Sequence, residues 1–276
     1  MTRLGEGLAT TGRLGEPAMT RTIAVVADFC RRAEAQGARE IVIVATSAVR
    51  EAPNREEFLD RVERAVGHSV EVVPGEEEAR LALLGVLDGL PDLSGSFVVF
   101  DVGGGSTEFV WARARRVAAA VSLPLGVVPL AERYATAGPV DWSRYAEMAE
   151  AIRSHLGAGL RGFARASRPV HLVGTAGTVT TLAALDQELR VYDPERVQGY
   201  VLKRTRIERL LKRLGELSVA ARATLPCLEP GRADLIIPGT AICLAAMEHF
   251  EASAITVSDA GLREGILIRY LSAAPP

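Results

Sequence analysis

One stretch constrains the fold more than any other: Phe97-Val-Val-Phe-Asp-Val-Gly-Gly-Gly-Ser-Thr-Glu-Phe-Val-Trp111. Apolar, β-branched and aromatic residues run up to Asp101, three glycines interrupt them, and β-formers resume after Glu108. The pattern predicts strand, glycine turn, strand. Glycines let the backbone curl so that several N–H groups approach one anion. Ser106 and Thr107 add hydroxyls, and the flanking carboxylates of Asp101 and Glu108 suit a divalent cation. In outline this is a phosphoryl site. A dinucleotide fingerprint needs G-x-G-x-x-G opening a helix, and a Walker A loop needs Gly-Lys-Ser/Thr; neither is present. A plain hairpin turn usually needs one or two glycines, not three followed by Ser-Thr-Glu.

The chain around this stretch alternates strands and helices. Residues 1–16 are polar and glycine-rich and suggest no element of their own. A helix is predicted from Pro17 to Gly37 and a strand over 41–45, after which Thr46–Arg50 leads into a loop. Asn54, with Glu57 three residues on, reads as an N-cap for a helix over 55–66. Val70–Val73 reads as a strand. Pro74-Gly-Glu-Glu-Glu-Ala-Arg80 opens the next helix; acids there favour the helix dipole, but three exceed that need, and Glu78 is the one expected to point inward. A strand over 117–121 and helices after 128 and over 141–164 follow. Val170–Val173 is a strand, and Gly174-Thr175-Ala176-Gly177-Thr178 is a second glycine loop opening a helix, where free N–H groups favour phosphate. Arg204, Arg206, Arg209, Lys212 and Arg213 make a basic helix, read as a solvated face with phosphate-chain contact as the lesser alternative. A helix over 231–249 precedes a strand over 254–257, the stretch 258–265 starts a terminal helix ending near 271, and the tail from 273 reads as loose. Such alternation implies an α/β fold, with ligands where strand ends and loops converge.

Composition narrows the functions. With 276 residues, 48% hydrophobic and 24% charged, the chain has the makeup of a globular protein. A net charge of −2 gives no global field for nucleic acid. Cys30, Cys227 and Cys243 lie far apart in apolar segments and read as buried thiols. No apolar run reaches membrane-spanning length and no signal peptide opens the chain, so a cytoplasmic protein with no membrane partner is expected.

Taken together, Ala45-Thr-Ser-Ala-Val-Arg50-Glu-Ala-Pro-Asn54, Gly75-Glu-Glu-Glu78-Ala-Arg80, Asp101–Glu108, Gly174–Thr178 and Ser258-Asp-Ala-Gly-Leu-Arg-Glu-Gly265 resemble the exopolyphosphatase/guanosine pentaphosphate phosphohydrolase (Ppx/GppA) family, in family order along essentially the whole chain. The resemblance implies an actin-like ATPase (ribonuclease H-like) α/β fold with two lobes about a cleft, residues 1–93 plus 262–276 forming one and 94–261 the other. It implies Mg2+-dependent removal of a terminal phosphate from polyphosphate or from pppGpp, with guanosine penta- or tetraphosphate as ligand. Glu78 matches the general base that activates water. Arg50 matches an arginine holding phosphate in the cleft. Asp101 and Glu108 match acids near the metal, Gly103, Gly104, Gly105 and Ser106 one phosphate loop, and Gly174, Thr175, Ala176, Gly177 and Thr178 the opposing loop. Arg263 and Glu264 belong to a closing motif with a structural role. Asp101 and Glu108 are expected to raise the proton affinity of Glu78. Family members often dimerise, so a homodimer is among the expectations.

Two departures from the family pattern stand out. The opening Asp-x-Gly-Ser-Asn-Ser loop is missing, so the first lobe is expected to be truncated at its start, and the additional helical region of long members is absent. The competing readings are an ATPase or sugar kinase of the same superfamily, and a polyphosphate- or alarmone-binding protein without turnover. The acidic and closing motifs count against the kinase. The retained Glu78, Asp101 and Glu108 count against the binder, which has no need of a base.

Overall fold

The computed structural model describes residues 1–163 and 170–273. The chain divides into two compact units, Met1–Gly75 and Glu76–Pro276. This division is not at the expected lobe boundary of 93/94. The expected end of the 141–164 helix and the tail beyond 273 lie outside the described residues.

The smaller unit contains α1 (Leu8–Thr11), α2 (Glu16–Ala35), β1 (Ile43–Ala45), α3 (Ser47–Glu51), α4 (Arg55–Val66) and β2 (Val70–Val72), with β1 and β2 parallel. Its core is Leu14, Met19, Val49, Ala52, Phe58 and Val62, the inner stripes of α2, α3 and α4 with the residues leading into them. Arg61 of α4 grips Glu16 of α2 through two hydrogen bonds of 2.6 and 2.8 Å. Two expectations are corrected. The segment holding Arg50, expected only to lead into a loop, is the short helix α3. Asn54 stands at the N-cap of α4, but its side chain does not cap it. Its Oδ1 accepts from the Leu14 N–H at 2.9 Å while its Nδ2 donates to the Leu14 carbonyl at 3.1 Å, so the amide spends both functions on a distant backbone.

The larger unit contains α5 (Gly75–Gly89), β3 (Ser96–Val102), β4 (Thr107–Arg113), β5 (Arg116–Leu123), α6 (Val127–Tyr134), α7 (Trp142–Gly159), β6 (His171–Thr175), α8 (Ala176–Asp186), α9 (Pro194–Val197), β7 (Val201–Lys203), α10 (Arg204–Gly215), α11 (Val219–Arg222), α12 (Ile236–His249), β8 (Ala254–Val257) and α13 (Leu262–Ala273). One six-stranded sheet, ordered β5-β4-β3-β6-β8-β7, carries it. β3, β6 and β8 are parallel, while β4, β5 and β7 run against their neighbours. Side chains alternate across a strand. Phe97 and Val99 therefore join Ala79, Leu83 and Val86 of α5 on one face. Val98, Phe100 and Val102 join α7, α8, α10 and α12 on the other. α12 is buried nearly all round, as its apolar sequence requires. It begins at Ile236 rather than 231, because Pro230–Arg232 forms a separate 3-10 turn. β7 was not foreseen: three residues that pair on one side only, against β8, leave no period to detect. Cys30 and Cys243 are buried thiols as expected; Cys227 is only half-buried. Among the described residues no helix is long and apolar enough to cross a membrane.

Candidate active site

Register and parity bring the acidic residues together. Asp101 has the parity of Phe97 and Val99, so its carboxyl lies on the face that α5 covers. Glu108 stands directly opposite Asp101 across the β3–β4 pair, and Thr175 opposite it across β3–β6. α5 brings its first turn to the same face. Of its three glutamates, Glu76 is exposed, Glu77 is half-buried beside Arg80 and Arg269, and Glu78 is 7% exposed. Glu78 is thus the inward one.

The three carboxylates repel one another in a place with little water. Burial, and then the charge of Glu78, push the Asp101 carboxyl up to about 7. Glu108 is also held well above the carboxylate range, by burial first and then by Glu78 and Asp101. Two hydroxyls oppose that rise: Ser106 and Ser122 each donate to Oε1 of Glu108 at 2.6 Å. Sequence reasoning missed Ser122. Its only signal is a register, since it sits opposite Glu108 across the β4–β5 pair.

The loop between Asp101 and Glu108 is shaped by contact rather than by left-handed backbone. None of its three glycines is among the positive-φ residues. Gly103 donates its N–H to the Ser106 carbonyl at 2.9 Å, and a Cβ there would stand 2.9 Å from that oxygen. The carbonyls of Gly103 and Gly104 accept from Val127 and Val128 at 3.1 and 2.9 Å, fastening the loop to the start of α6. Gly126 lies so close that a Cβ would come within 2.2 Å of the Gly104 carbonyl oxygen. Gly126 is a second residue that sequence reasoning missed.

The second glycine loop sits at the neighbouring strand end. Thr175 ends β6, with Oγ1 donating to the Ala260 carbonyl at 3.1 Å. Ala176 opens α8 at φ 69°, a left-handed conformation that a side chain resists. Thr178 is buried against Gly239. The guanidinium of Arg232 lies over Gly177, where a Cβ would come within 1.9 Å of Nη1. Arg232 also pairs with Glu229 at 3.1 Å. It places a cation beside the loop, and its place was not legible because it comes from the 3-10 turn before α12.

The closing motif has a fastening role. Glu264 accepts the N–H of Gly261 at 2.8 Å, the reach-back of a capping box. Gln198 accepts from the N–H of Asp259 at 2.7 Å and donates to the Gly89 carbonyl at 2.8 Å, and Tyr192 donates to Asp259. Arg50 belongs to the smaller unit, where its Nη1 donates to the Val73 carbonyl at 2.9 Å. The larger unit therefore assembles Glu78, Asp101, Glu108 and both glycine loops at the carboxyl ends of β3 and β6.

Comparison with known proteins identifies the family and the fold. The Ppx/GppA phosphatase family matches residues 1–274. Exopolyphosphatase 2 of Mycobacterium tuberculosis is 32% identical, covering 96% of this chain and 86% of that protein. The solved Ppx/GppA family member of Aquifex aeolicus is 36% identical with a TM-score of 0.80, over 98% of this chain and 87% of that one. An exopolyphosphatase structure from Cytophaga hutchinsonii is 27% identical with a TM-score of 0.87, over 99% and 88%. The α/β fold expected from the motifs is the fold of this group, and the chain belongs to the Ppx/GppA phosphatase family.

Proposed function

We propose that the protein is a phosphohydrolase that releases the terminal phosphate of inorganic polyphosphate, and that pppGpp, whose terminal phosphoanhydride is the same bond, is a second substrate of the same site. The observation that carries the reading is the trio of buried Glu78 and Glu108 with half-buried Asp101 at the mouth of a phosphate-type glycine loop. Phosphoryl transfer to water needs positioned water, a proton acceptor and charge neutralisation. Glu78 takes the proton of the attacking water. The backbone N–H groups of Gly104 and Gly105, the opening of α8 and the Arg232 guanidinium bind phosphate oxygens. Arg50 keeps the phosphate-holding role that the family motif implies. The location proposed is the cytoplasm.

Magnesium belongs to the same proposal. Among the described residues no three His, Cys, Asp or Glu side chains form a metal cage. A cage is not what this ion requires: magnesium keeps several waters and is held through one or two carboxylates plus substrate phosphates. Asp101 and Glu108 are hard oxygen donors whose mutual repulsion a cation relieves, so the residues fit it. When bound, the ion would neutralise charge on the phosphate.

The test is phosphate release from polyphosphate and from pppGpp, with magnesium, by the wild type and by Glu78→Gln. Loss of a general base is expected to lower the rate by about 10²–10⁴-fold. A Glu78→Gln protein as fast as wild type would remove Glu78 from the mechanism. Tight ligand binding without release by the wild type would make the protein a binder instead.

A further inference from the structure

The chain's only two lysines, Lys203 and Lys212, fall at the end of β7 and on the helix that follows it. α10 and the residue before it carry Lys203, Arg204, Arg206, Arg209, Lys212 and Arg213 within a protein whose net charge is −2. The helix has two faces with different fates. Ile207, Leu210, Leu211 and Leu214 are buried in the core of the larger unit. Lys203, Arg206, Arg209, Lys212 and Arg213 are exposed.

Part of this charge is already answered. Arg204 pairs with Glu208 at 3.1 Å, and Arg206 reaches Asp186 at 3.9 Å. Among the described residues Lys203, Arg209, Lys212 and Arg213 have no acidic partner. Arg206, Arg209 and Arg213 are spaced three and four apart, so they stack along one side of the helix over about 10 Å. α10 packs on α8, the helix whose first turn is the second glycine loop. The cationic stripe and the acidic site are therefore parts of the same compact unit.

We propose that the exposed stripe of α10 is an accessory polyanion surface that holds the body of a long polyphosphate chain while its end occupies the glycine-loop site. This rests on the polyphosphate reading of that site. Its chemistry favours polyphosphate over other polyanions. The exposed positions of α10 hold no aromatic ring on which a base could stack. The apolar face is already committed to the core, so the helix has nothing to insert into a lipid surface. A phosphate polymer needs only charge, presented in a row. A contact to the chain body is made equally before and during reaction, so it lowers KM without changing kcat.

The test compares the wild type with a variant carrying Lys203→Gln, Arg209→Gln, Lys212→Gln and Arg213→Gln. Glutamine keeps helix propensity close to that of the replaced residues, and circular dichroism checks that the variant folds. Binding of labelled long-chain polyphosphate is read directly by anisotropy, independently of turnover, at several salt concentrations. KM and kcat are then read for long-chain polyphosphate and for tripolyphosphate. The expected result is binding of the long chain weakened by about tenfold or more, with a shallower salt dependence. KM for the long chain rises in proportion, while kcat and the tripolyphosphate constants stay at wild-type values. Equal long-chain binding by the two proteins would overturn the proposal. So would a variant that loses binding of single-stranded RNA but keeps that of long-chain polyphosphate. If the wild type hydrolyses no polyphosphate, the proposed function fails, and the binding comparison still decides whether α10 is a polyanion surface.

Discussion

Glu108 carries two hydroxyl donors on one carboxylate oxygen and two acids beside it. Removing a hydrogen-bond donor from a buried polar group costs about 1–3 kcal/mol. Ser122→Ala is therefore expected to lower the urea midpoint, with Ser122→Thr restoring part of it. Asp101 gives a pH prediction. Its carboxyl is raised from 3.8 to about 7. Between those values the native protein holds a proton that the unfolded chain has released, so stability falls as pH rises. This contribution is full below about pH 4 and lost above about pH 7. Urea titrations in EDTA are expected to show wild type losing stability relative to Asp101→Asn across that window. A difference that stays constant with pH would sink the idea. The sequence made Asp101, Glu108 and Glu78 legible because acids crowded around glycines exceed what a turn or a helix dipole needs. It did not reveal Ser122, an ordinary serine in an edge strand. It misassigned the side chain of Asn54 because a cap and a distant amide bracket begin from the same residue.

Elements meet in this protein where a methyl group would not fit. α5 and α13 cross with Gly85 against the Gly261 carbonyl and Gly265 against the Leu81 carbonyl, at 2.0 and 1.8 Å from where a Cβ would stand. Gly126 does the same for the first glycine loop and α6. Forcing atoms into such a contact costs about 1–3 kcal/mol. Gly265→Ala is expected to lower the melting temperature, whereas Gly126→Ala displaces the loop and slows phosphate release by at least about tenfold. A fully active Gly126→Ala protein would mean that the loop does not hold phosphate. Long periodic helices and apolar strands were legible from the sequence. The short elements were not: α3 and β7 have five and three residues, too few for a period, and both exist because a neighbour holds them.

The whole molecule has separate cores in its two compact units. Asn54 brackets the backbone of Leu14, which lies in the core of the smaller one. Hydrogen exchange of Asn54→Ala is expected to quicken first within residues 1–75, ahead of the six-stranded sheet. Uniform acceleration across the chain would show the units to be one cooperative body. The sheet order has another consequence. β6 lies between β3 and β8, although β8 is the last strand in the chain. Thr175 takes its place beside Asp101 across seventy-odd residues of intervening chain, and Ser258 then locks to the Gly174 carbonyl at 2.8 Å. Pairings so distant in sequence form late. During synthesis, the acids and the first loop leave the ribosome well before the strands that complete the site beside them. A nascent chain stalled short of β8 would expose the edge of β6, offering a partner for aggregation before it offers a catalyst.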